Sequence, residues 1–250
     1  MILEIDYGNT RLKWRLLKVG SLECVARGIV IDLPALLPSL REAGCSGLVY
    51  CRACSVRAAG ANVQLAELIE KSYGVGIEYA QSLKETAGVT NGYSEANKLG
   101  VDRWLVIVAA YTKVKHACVV IDCGTAVTVD YIAPDGRHLG GCIAPGFKML
   151  RAMLQQGTQL SLSNTAAVYS ERVLLGNSTQ AAVDAGVGSM FRGFIQEQLK
   201  LARELLGASA SVLCTGGDSA LVFDVTDDAV LEEDLVFAGL AIVCPYIVKE

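Results

Sequence analysis

The sequence predicts an α/β fold built from two similar halves, and three observations support it. The phrase Leu3–Thr10, LEIDYGNT, recurs in outline as VIDCGTA at Val120–Ala126, and the aspartates Asp6 and Asp122 are 116 residues apart. Each phrase opens the same order of predicted elements, β-β-β-α-β-α-β-α. The chain has 250 residues, of which 52% are hydrophobic and 19% charged, enough for two buried cores. We therefore expect two domains, residues 1–115 and 116–250, facing each other across a central cleft.

The elements of the first half follow from local patterns. Leu12, Trp14 and Leu16 alternate with charged residues, which is typical of a strand with one wet face. Asp32 and Pro34 are typical of a helix start. The predicted strands are 1–6, 11–18, 22–30, 47–51 and 75–79. The predicted helices are a short one after Pro34, then 61–73 and 100–114.

The second half repeats this order and adds a helical insertion. A glycine turn at Gly124 separates its first two strands, as Gly8 does in the first half. The predicted strands are 118–122, 126–132, 138–144 and 212–214. The predicted helices are one after Pro145-Gly146, a long one at 178–206, one after Gly216-Gly217, and a final one at 235–248.

Charge and composition disfavour several classes of protein. The net charge of −4 and the lack of a basic run argue against nonspecific binding to nucleic acid or to an anionic membrane. The start of the chain lacks the pattern of a signal peptide, and the longest apolar stretch, residues 235–248, is shorter than a bilayer span. We therefore expect a cytoplasmic protein.

The nine cysteines do not form a disulfide pattern, because their number is odd and they are scattered through predicted strands and helices. Cys51 and Cys54 have a spacing seen in metal sites. A structural zinc site needs four ligands, however, and no second pair accompanies them. Buried, reduced thiols are the expectation.

The segment Asp6–Lys13 is a candidate phosphate-binding hairpin. By itself, an Asp-x-Gly-Asn phrase is as easily an ordinary hairpin turn. Here Gly8 would let backbone N–H groups approach a phosphate, Asn9 and Thr10 add short donors, and Lys13 adds a cation from the next strand. Asp6 suits a metal ion or its waters, because phosphates would repel an uncompensated carboxylate. The second copy at Asp122 strengthens this reading.

Two further phrases allow both a structural and a functional interpretation. Gly100-Val101-Asp102-Arg103 fits a helix start with an acid in its first turn. It also fits a base, Asp102, beside an arginine whose planar fork matches a carboxylate. Thr215-Gly216-Gly217 is a tight strand-to-helix turn against which an adenine or ribose could lie.

Together these phrases resemble the type III pantothenate kinases, a family of the acetate and sugar kinase, Hsp70 and actin superfamily. The resemblance covers the whole chain, and the Gly-x-Asp-Arg phrase separates this family from sugar kinases and chaperones. It rests on the following segments: Asp6–Lys13, Asn91–Tyr93, Gly100–Trp104, Asp122–Ala126, Gly140–Gly146 and Thr215–Gly217.

The resemblance implies two ribonuclease H-like domains in an actin-like ATPase fold, and phosphorylation of pantothenate by ATP, the first step of coenzyme A synthesis. It implies Asp102 as the general base, Asp122 as the ligand of a monovalent cation (K⁺ or NH₄⁺), and Mg²⁺ with the ATP. It further implies a homodimer in which Thr179 reaches the partner's active site. The implied ATP-binding residues are Asp6, Gly8, Asn9, Thr10, Lys13 and Thr125. The implied pantothenate-binding residues are Tyr93, Gly100, Val101, Arg103 and Thr179.

Two alternatives remain open at this point. The protein could be another small-metabolite kinase or phosphatase of the same fold. It could also be a regulatory binding protein without turnover, since a fold alone does not fix function. The presence of Asp6, Lys13, Asp102 and Asp122 argues against the second alternative, because a binding module does not need a base.

Overall fold

A computed structural model describes residues 1–162 and 175–247. The chain divides into two compact units. The first unit contains Met1–Lys113 together with the segment from Asp234 onward, and the second contains Val114–Glu233. The division falls at 113/114, two residues before the expected 115/116, and the segment from Asp234 onward groups with the first unit and not with the second.

Each unit is built around one five-stranded sheet. The strands are β1 Ile2–Tyr7, β2 Leu12–Leu17, β3 Cys24–Val30, β4 Tyr50–Ser55, β5 Ile77–Tyr79, β6 Glu85–Thr86, β7 Val89–Thr90, β8 Cys118–Cys123, β9 Ala126–Ile132, β10 His138–Pro145, β11 Ser211–Thr215 and β12 Ala229–Leu231. The helices are α1 Leu36–Glu42, α2 Ala59–Tyr73, α3 Val101–Val114, α4 Phe147–Gly157, α5 Thr179–Leu206, α6 Ala220–Phe223 and α7 Leu235–Val243, and a 3-10 turn spans Ala96–Lys98.

The two sheets have the same topology. Their strand orders are β3-β2-β1-β4-β5 and β10-β9-β8-β11-β12, with the first three strands antiparallel and the last two added in parallel. Asp6 lies opposite Lys13 on β2, and Asp122 lies opposite Thr128 on β9. The duplication that the sequence predicts is confirmed at the level of strand order.

In the second unit, α5 covers the sheet with a stripe of apolar residues. Val187, Phe191 and Ile195 recur every four residues, which places them on one helix face, and they are buried against Val119, Ile121 and other strand residues. This packing explains why a 28-residue helix forms here.

The first unit differs from the prediction on the outer face of its sheet. Leu12, Trp14 and Leu16 are buried as expected, but Arg15 is only 14% exposed rather than facing water. The physical reason is α7, which packs on β1 and β4, so that Phe237 lies under the Arg15 guanidinium at 4.8 Å.

A buried ion network joins α7 to this sheet. Glu4 is fully buried and accepts hydrogen bonds from Arg15 and from Arg52, whose Nε lies 2.8 Å from Glu4 Oε1. Arg52 also donates to the Cys244 carbonyl, and Arg15 to Asp234 at 3.2 Å. Leaving a buried charge without its partner costs free energy, so this network holds the C-terminal segment on the first unit.

Smaller differences have local causes. The last helix ends at Val243, before Pro245, instead of running to residue 248, because proline disfavours helix at the residue before it. The strand β12 and the β6–β7 hairpin were not predicted from the sequence, because each of these strands has three residues or fewer. All nine cysteines are free thiols, and all except Cys24 and Cys142 are buried, as expected. Within the part of the chain that the structure describes, no helix combines the length and apolarity that crossing a bilayer requires.

Candidate active site

The first-unit hairpin places the Asp6–Lys13 segment at the end of β1. Gly8 sits in the turn between β1 and β2, where an added Cβ would lie 3.3 Å from the Arg11 carbonyl. Asn9 and Thr10 are exposed at the tip. Lys13 Nζ lies 3.9 Å from Asp6 Oδ2, so the predicted cation and carboxylate do face each other across the strands.

Asp6 is largely shielded from water, with a side chain 15% exposed. Burial raises its pKa from 3.8 to about 6, because a carboxylate loses hydration there. Lys13 partly opposes this rise in pKa, and the negative charge of Asp102 adds to it. Two residues that are 96 positions apart in the sequence are thus brought within electrostatic reach of each other in one unit.

Asp102 lies in the first turn of α3, and the Gly-x-Asp-Arg phrase explains how. Its Oδ1 accepts a hydrogen bond from the Arg103 backbone N–H at 2.8 Å. In this orientation the same oxygen would be 2.7 Å from a Cβ at position 100, so a larger residue there would force the Asp102 carboxylate to shift. The helix start expected from the sequence is confirmed, because α3 begins at Val101 with Asp102 as its acid.

Arg103 and Tyr93, two of the residues expected from the resemblance to contact the substrate, lie together in one cluster. Arg103 is buried, and its Nη1 donates to the Tyr93 hydroxyl at 2.9 Å. Asn91, which is also buried, fixes the loop that carries Tyr93 by accepting from the Tyr93 backbone N–H and donating to the Leu83 and Ala96 carbonyls. Val101 instead packs its side chain on the cluster that contains Leu105, Phe237 and Leu240.

In the second unit, three turns meet at the Asp122–Ala126 segment. Gly146 approaches so closely that an added Cβ would lie 2.6 Å from the Gly124 and Thr125 carbonyls. Gly216 has φ +92°, and its Cβ would lie 2.6 Å from Asp122 Oδ1. Thr125 is exposed at the tip. The Gly-Gly and Pro-Gly phrases are therefore shape-setting turns that pack against the second Asp-x-Gly turn.

One ion pair and one hydrogen bond beside these turns were not predicted from the sequence. In the second unit, Lys148 Nζ lies 3.3 Å from Asp218 Oδ1, and Asp218 is buried. In the first unit, Arg57 donates from Nη1 to the Asn9 carbonyl at 2.7 Å. No local pattern marks either pair, since the partners are 70 and 48 residues apart along the chain.

Thr179 lies in the second unit, exposed in the first turn of α5. It lines an open apolar groove of about 580 Å³ between α4 and α5. The groove is lined by Leu154, Thr179, Ala182, Val183, Gly186, Val187 and Met190. With respect to the described residues, Met190 is 62% exposed, whereas Val187 is buried in the core.

Solved structures show the class of fold. A protein assigned to the Baf family of transcriptional activators from Campylobacter jejuni superposes with TM-score 0.59 at 20% identity, covering 96% of both chains. A protein assigned as a 2-dehydro-3-deoxygalactonokinase from Sinorhizobium meliloti superposes with TM-score 0.56 at 13% identity, covering 98% of this chain and 100% of that one. With the duplicated sheets and Asp-x-Gly turns, these likenesses define an α/β protein of the actin-like ATPase fold.

Sequence comparison then gives the family. Residues 2–201 match the family model described as type III pantothenate kinase. The type III pantothenate kinases of Pseudomonas fluorescens SBW25 and Pseudomonas aeruginosa LESB58 are each 42% identical over 247 residues, covering 98% of this chain and 99% of each relative. The chain belongs to the type III pantothenate kinase family.

Proposed function

We propose that this protein transfers the γ-phosphoryl group of ATP to the primary hydroxyl of pantothenate, giving 4'-phosphopantothenate in the first step of coenzyme A biosynthesis. Family membership supports the reaction. The observation that supports the residue assignment is the hairpin itself, where Lys13 Nζ lies 3.9 Å from Asp6 Oδ2 and where the charge of Asp102, the candidate base, contributes to the raised pKa of Asp6.

Asp102 is proposed as the general base. Phosphoryl transfer depends on positioning and charge neutralisation more than on covalent chemistry by the protein. A carboxylate is a weak base, which suits a loose transition state in which the alcohol loses its proton late. Because the Arg103 N–H holds Asp102 Oδ1, its other oxygen is left to orient the substrate hydroxyl.

Asp6, Gly8, Asn9, Thr10 and Lys13 are proposed to hold the ATP phosphates, with Thr125 contributing from the second Asp-x-Gly turn. The buried Asp6 carboxylate fits a Mg²⁺ ion that accompanies ATP, because a hard cation prefers oxygen ligands and would offset the cost of ionising this group. Bound there, Mg²⁺ would supply charge neutralisation for the phosphates.

Asp122 is proposed as a ligand of an activating monovalent cation, K⁺ or NH₄⁺. The support is its position near the end of β8, where a Cβ added at Gly216 would lie 2.6 Å from Asp122 Oδ1, so glycine at position 216 leaves room beside this oxygen. Backbone carbonyls of such turns are ligands of the kind that hard cations accept.

Pantothenate is proposed to contact Tyr93, Gly100, Val101 and Arg103, with Val101 contributing through its backbone. The bond between Arg103 and Tyr93 gives a preformed cluster in which a cation can meet the pantothenate carboxylate.

We further propose a homodimer, in which a second copy covers the apolar groove beside Met190 and Thr179 contributes to the partner's site. The methionines Met149 and Met153 on α4 are also exposed.

The test is ADP release by the full-length protein with a panel of small alcohols and sugars. Pantothenate is expected to be the only acceptor in the panel that supports ADP release, and mass spectrometry should identify the product as 4'-phosphopantothenate. Single-turnover reactions with and without K⁺ then separate chemistry from product release. Turnover of another acceptor at a higher kcat/KM, or binding of ATP without any phosphorylated product, contradicts the proposal.

A further inference from the structure

Arg57 lies just beyond β4, at the same edge of the first sheet as the hairpin. β4 runs parallel to β1, with Tyr7 opposite Ser55 in register, so the segment after β4 emerges beside the turn after β1. The Val56 N–H donates to the Tyr7 carbonyl at 3.3 Å, which continues this pairing up to Arg57. The fold therefore places Arg57 next to the hairpin although it is distant in sequence.

Two contacts hold the guanidinium of Arg57 against the hairpin. Its Nη1 donates to the Asn9 carbonyl at 2.7 Å, the length of a charge-assisted hydrogen bond. Its carbon lies 5.3 Å from the centre of the Tyr7 ring, within the range of a cation–π contact. The hydrogen bond to Asn9 orients the guanidinium, and the contact with the Tyr7 ring holds it against the hairpin. The Arg57 side chain as a whole is exposed.

The bond to Asn9 has a consequence for the following residue. The carbonyl of Asn9 and the N–H of Thr10 belong to one planar, trans peptide group, so they point in opposite directions. Fixing the carbonyl toward Arg57 therefore fixes the Thr10 N–H away from it. A cation on the carbonyl oxygen also polarises the peptide group and makes that N–H a stronger donor.

We propose that Arg57 is a positioning residue for ATP: it orients the Asn9–Thr10 peptide so that the Thr10 N–H donates to the nucleotide's phosphates. This rests on the proposed role of the hairpin as the phosphate-binding segment. Arg57 acts through the turn and not on the reacting atoms. Its loss therefore affects the use of ATP more than the use of pantothenate or the chemical step.

The experiment compares Arg57→Ala and Arg57→Lys with the wild type by steady-state kinetics. We expect Arg57→Ala to raise the KM for ATP about tenfold, the usual worth of one charge-assisted hydrogen bond. We expect the KM for pantothenate to stay within twofold. Arg57→Lys, which keeps the charge and one donor, should recover most of the loss. Arg41→Ala, an exposed arginine of the same unit, is the matched control and should match the wild type.

A KM for ATP within twofold of the wild type in Arg57→Ala overturns the proposal, as does an equal rise in both KM values. Lys13→Ala separates it from the proposed function. If Lys13→Ala leaves the KM for ATP unchanged, the phosphate assignment of the hairpin fails; if it raises that KM while Arg57→Ala does not, only the role of Arg57 fails. Should Arg57→Ala not fold, Arg57→Gln retains the stem and the same comparison applies.

Discussion

Asp6→Asn removes a carboxylate that the structure places at the end of β1, with 15% of its side chain exposed. The folded protein raises the pKa of this group from 3.8 to about 6, chiefly through lost hydration. Because each pKa unit corresponds to about 1.4 kcal/mol, ionised Asp6 costs the ligand-free protein about 3 kcal/mol of folding free energy. Asparagine has nearly the same shape and carries no charge, so the variant avoids that cost.

The sign of the pH dependence follows from this rise in pKa. Below about pH 4 the carboxyl is protonated in the folded and the unfolded chain, so the two proteins are equally stable. Between about pH 4 and 6 the carboxyl ionises in the unfolded chain but keeps its proton in the folded one, so the wild type loses stability as the pH rises; above about pH 6 both states are ionised and the loss levels off. Asp6→Asn is therefore expected to be more stable than the wild type by about 3 kcal/mol at pH 8, and by well under 1 kcal/mol at pH 4.

The assay is urea unfolding of both ligand-free proteins at pH 4, 6 and 8, followed by circular dichroism. The difference between variant and wild type isolates Asp6, because every other group titrates in both. Asp32→Asn serves as a control, since Asp32 is an exposed side chain whose Oδ1 accepts from the Ala35 N–H and an amide oxygen can replace it. A stability difference that is constant between pH 4 and 8, or a variant less stable than the wild type at pH 8, refutes the reasoning.

The remaining predictions concern catalysis. Asp102→Asn should lower kcat by about 10²–10⁴, the usual worth of a general base, with little change in the KM for ATP; a near-normal kcat would remove the assignment. Asp122→Ala should lose activation by K⁺ in rate measurements without KCl and with about 0.1 M KCl, and an unchanged K⁺ response rejects that cation site. Mixing Asp102→Asn with Thr179→Ala after subunit exchange should restore about a quarter of wild-type activity, because half of the dimers then carry one intact site; no recovery in exchanged dimers argues against a shared site.

The unfolding measurements on ligand-free Asp6→Asn also connect stability to function. The carboxylate that destabilises the ligand-free hairpin is the one proposed to meet Mg²⁺ with ATP, so binding should offset the cost that burial imposes. A site that is strained without its ligand and relieved by it is a common outcome of selection for activity. The same variant is therefore expected to gain stability and lose turnover.

The sequence by itself determined the duplicated strand order and the positions of the main turns. Alternation of apolar residues at Leu12, Trp14 and Leu16 predicted β2, because this pattern is local. The long helix predicted at 178–206 corresponds to α5, Thr179–Leu206. The candidate base Asp102 and the hairpin at Asp6 could also be predicted from the sequence, because each lies in a short motif whose residue types suit phosphoryl transfer.

Only the tertiary structure decided how distant segments meet. It placed α7 on the first sheet, buried Glu4 between Arg15 and Arg52, and brought Arg57 to the Asn9 carbonyl. It also set Asp102 close enough to Asp6 to raise the pKa of that carboxyl. Local sequence patterns do not encode such contacts. Burial and Coulomb interactions depend on distances in space, and residues far apart in the sequence come close only after the sheet and its helices have packed.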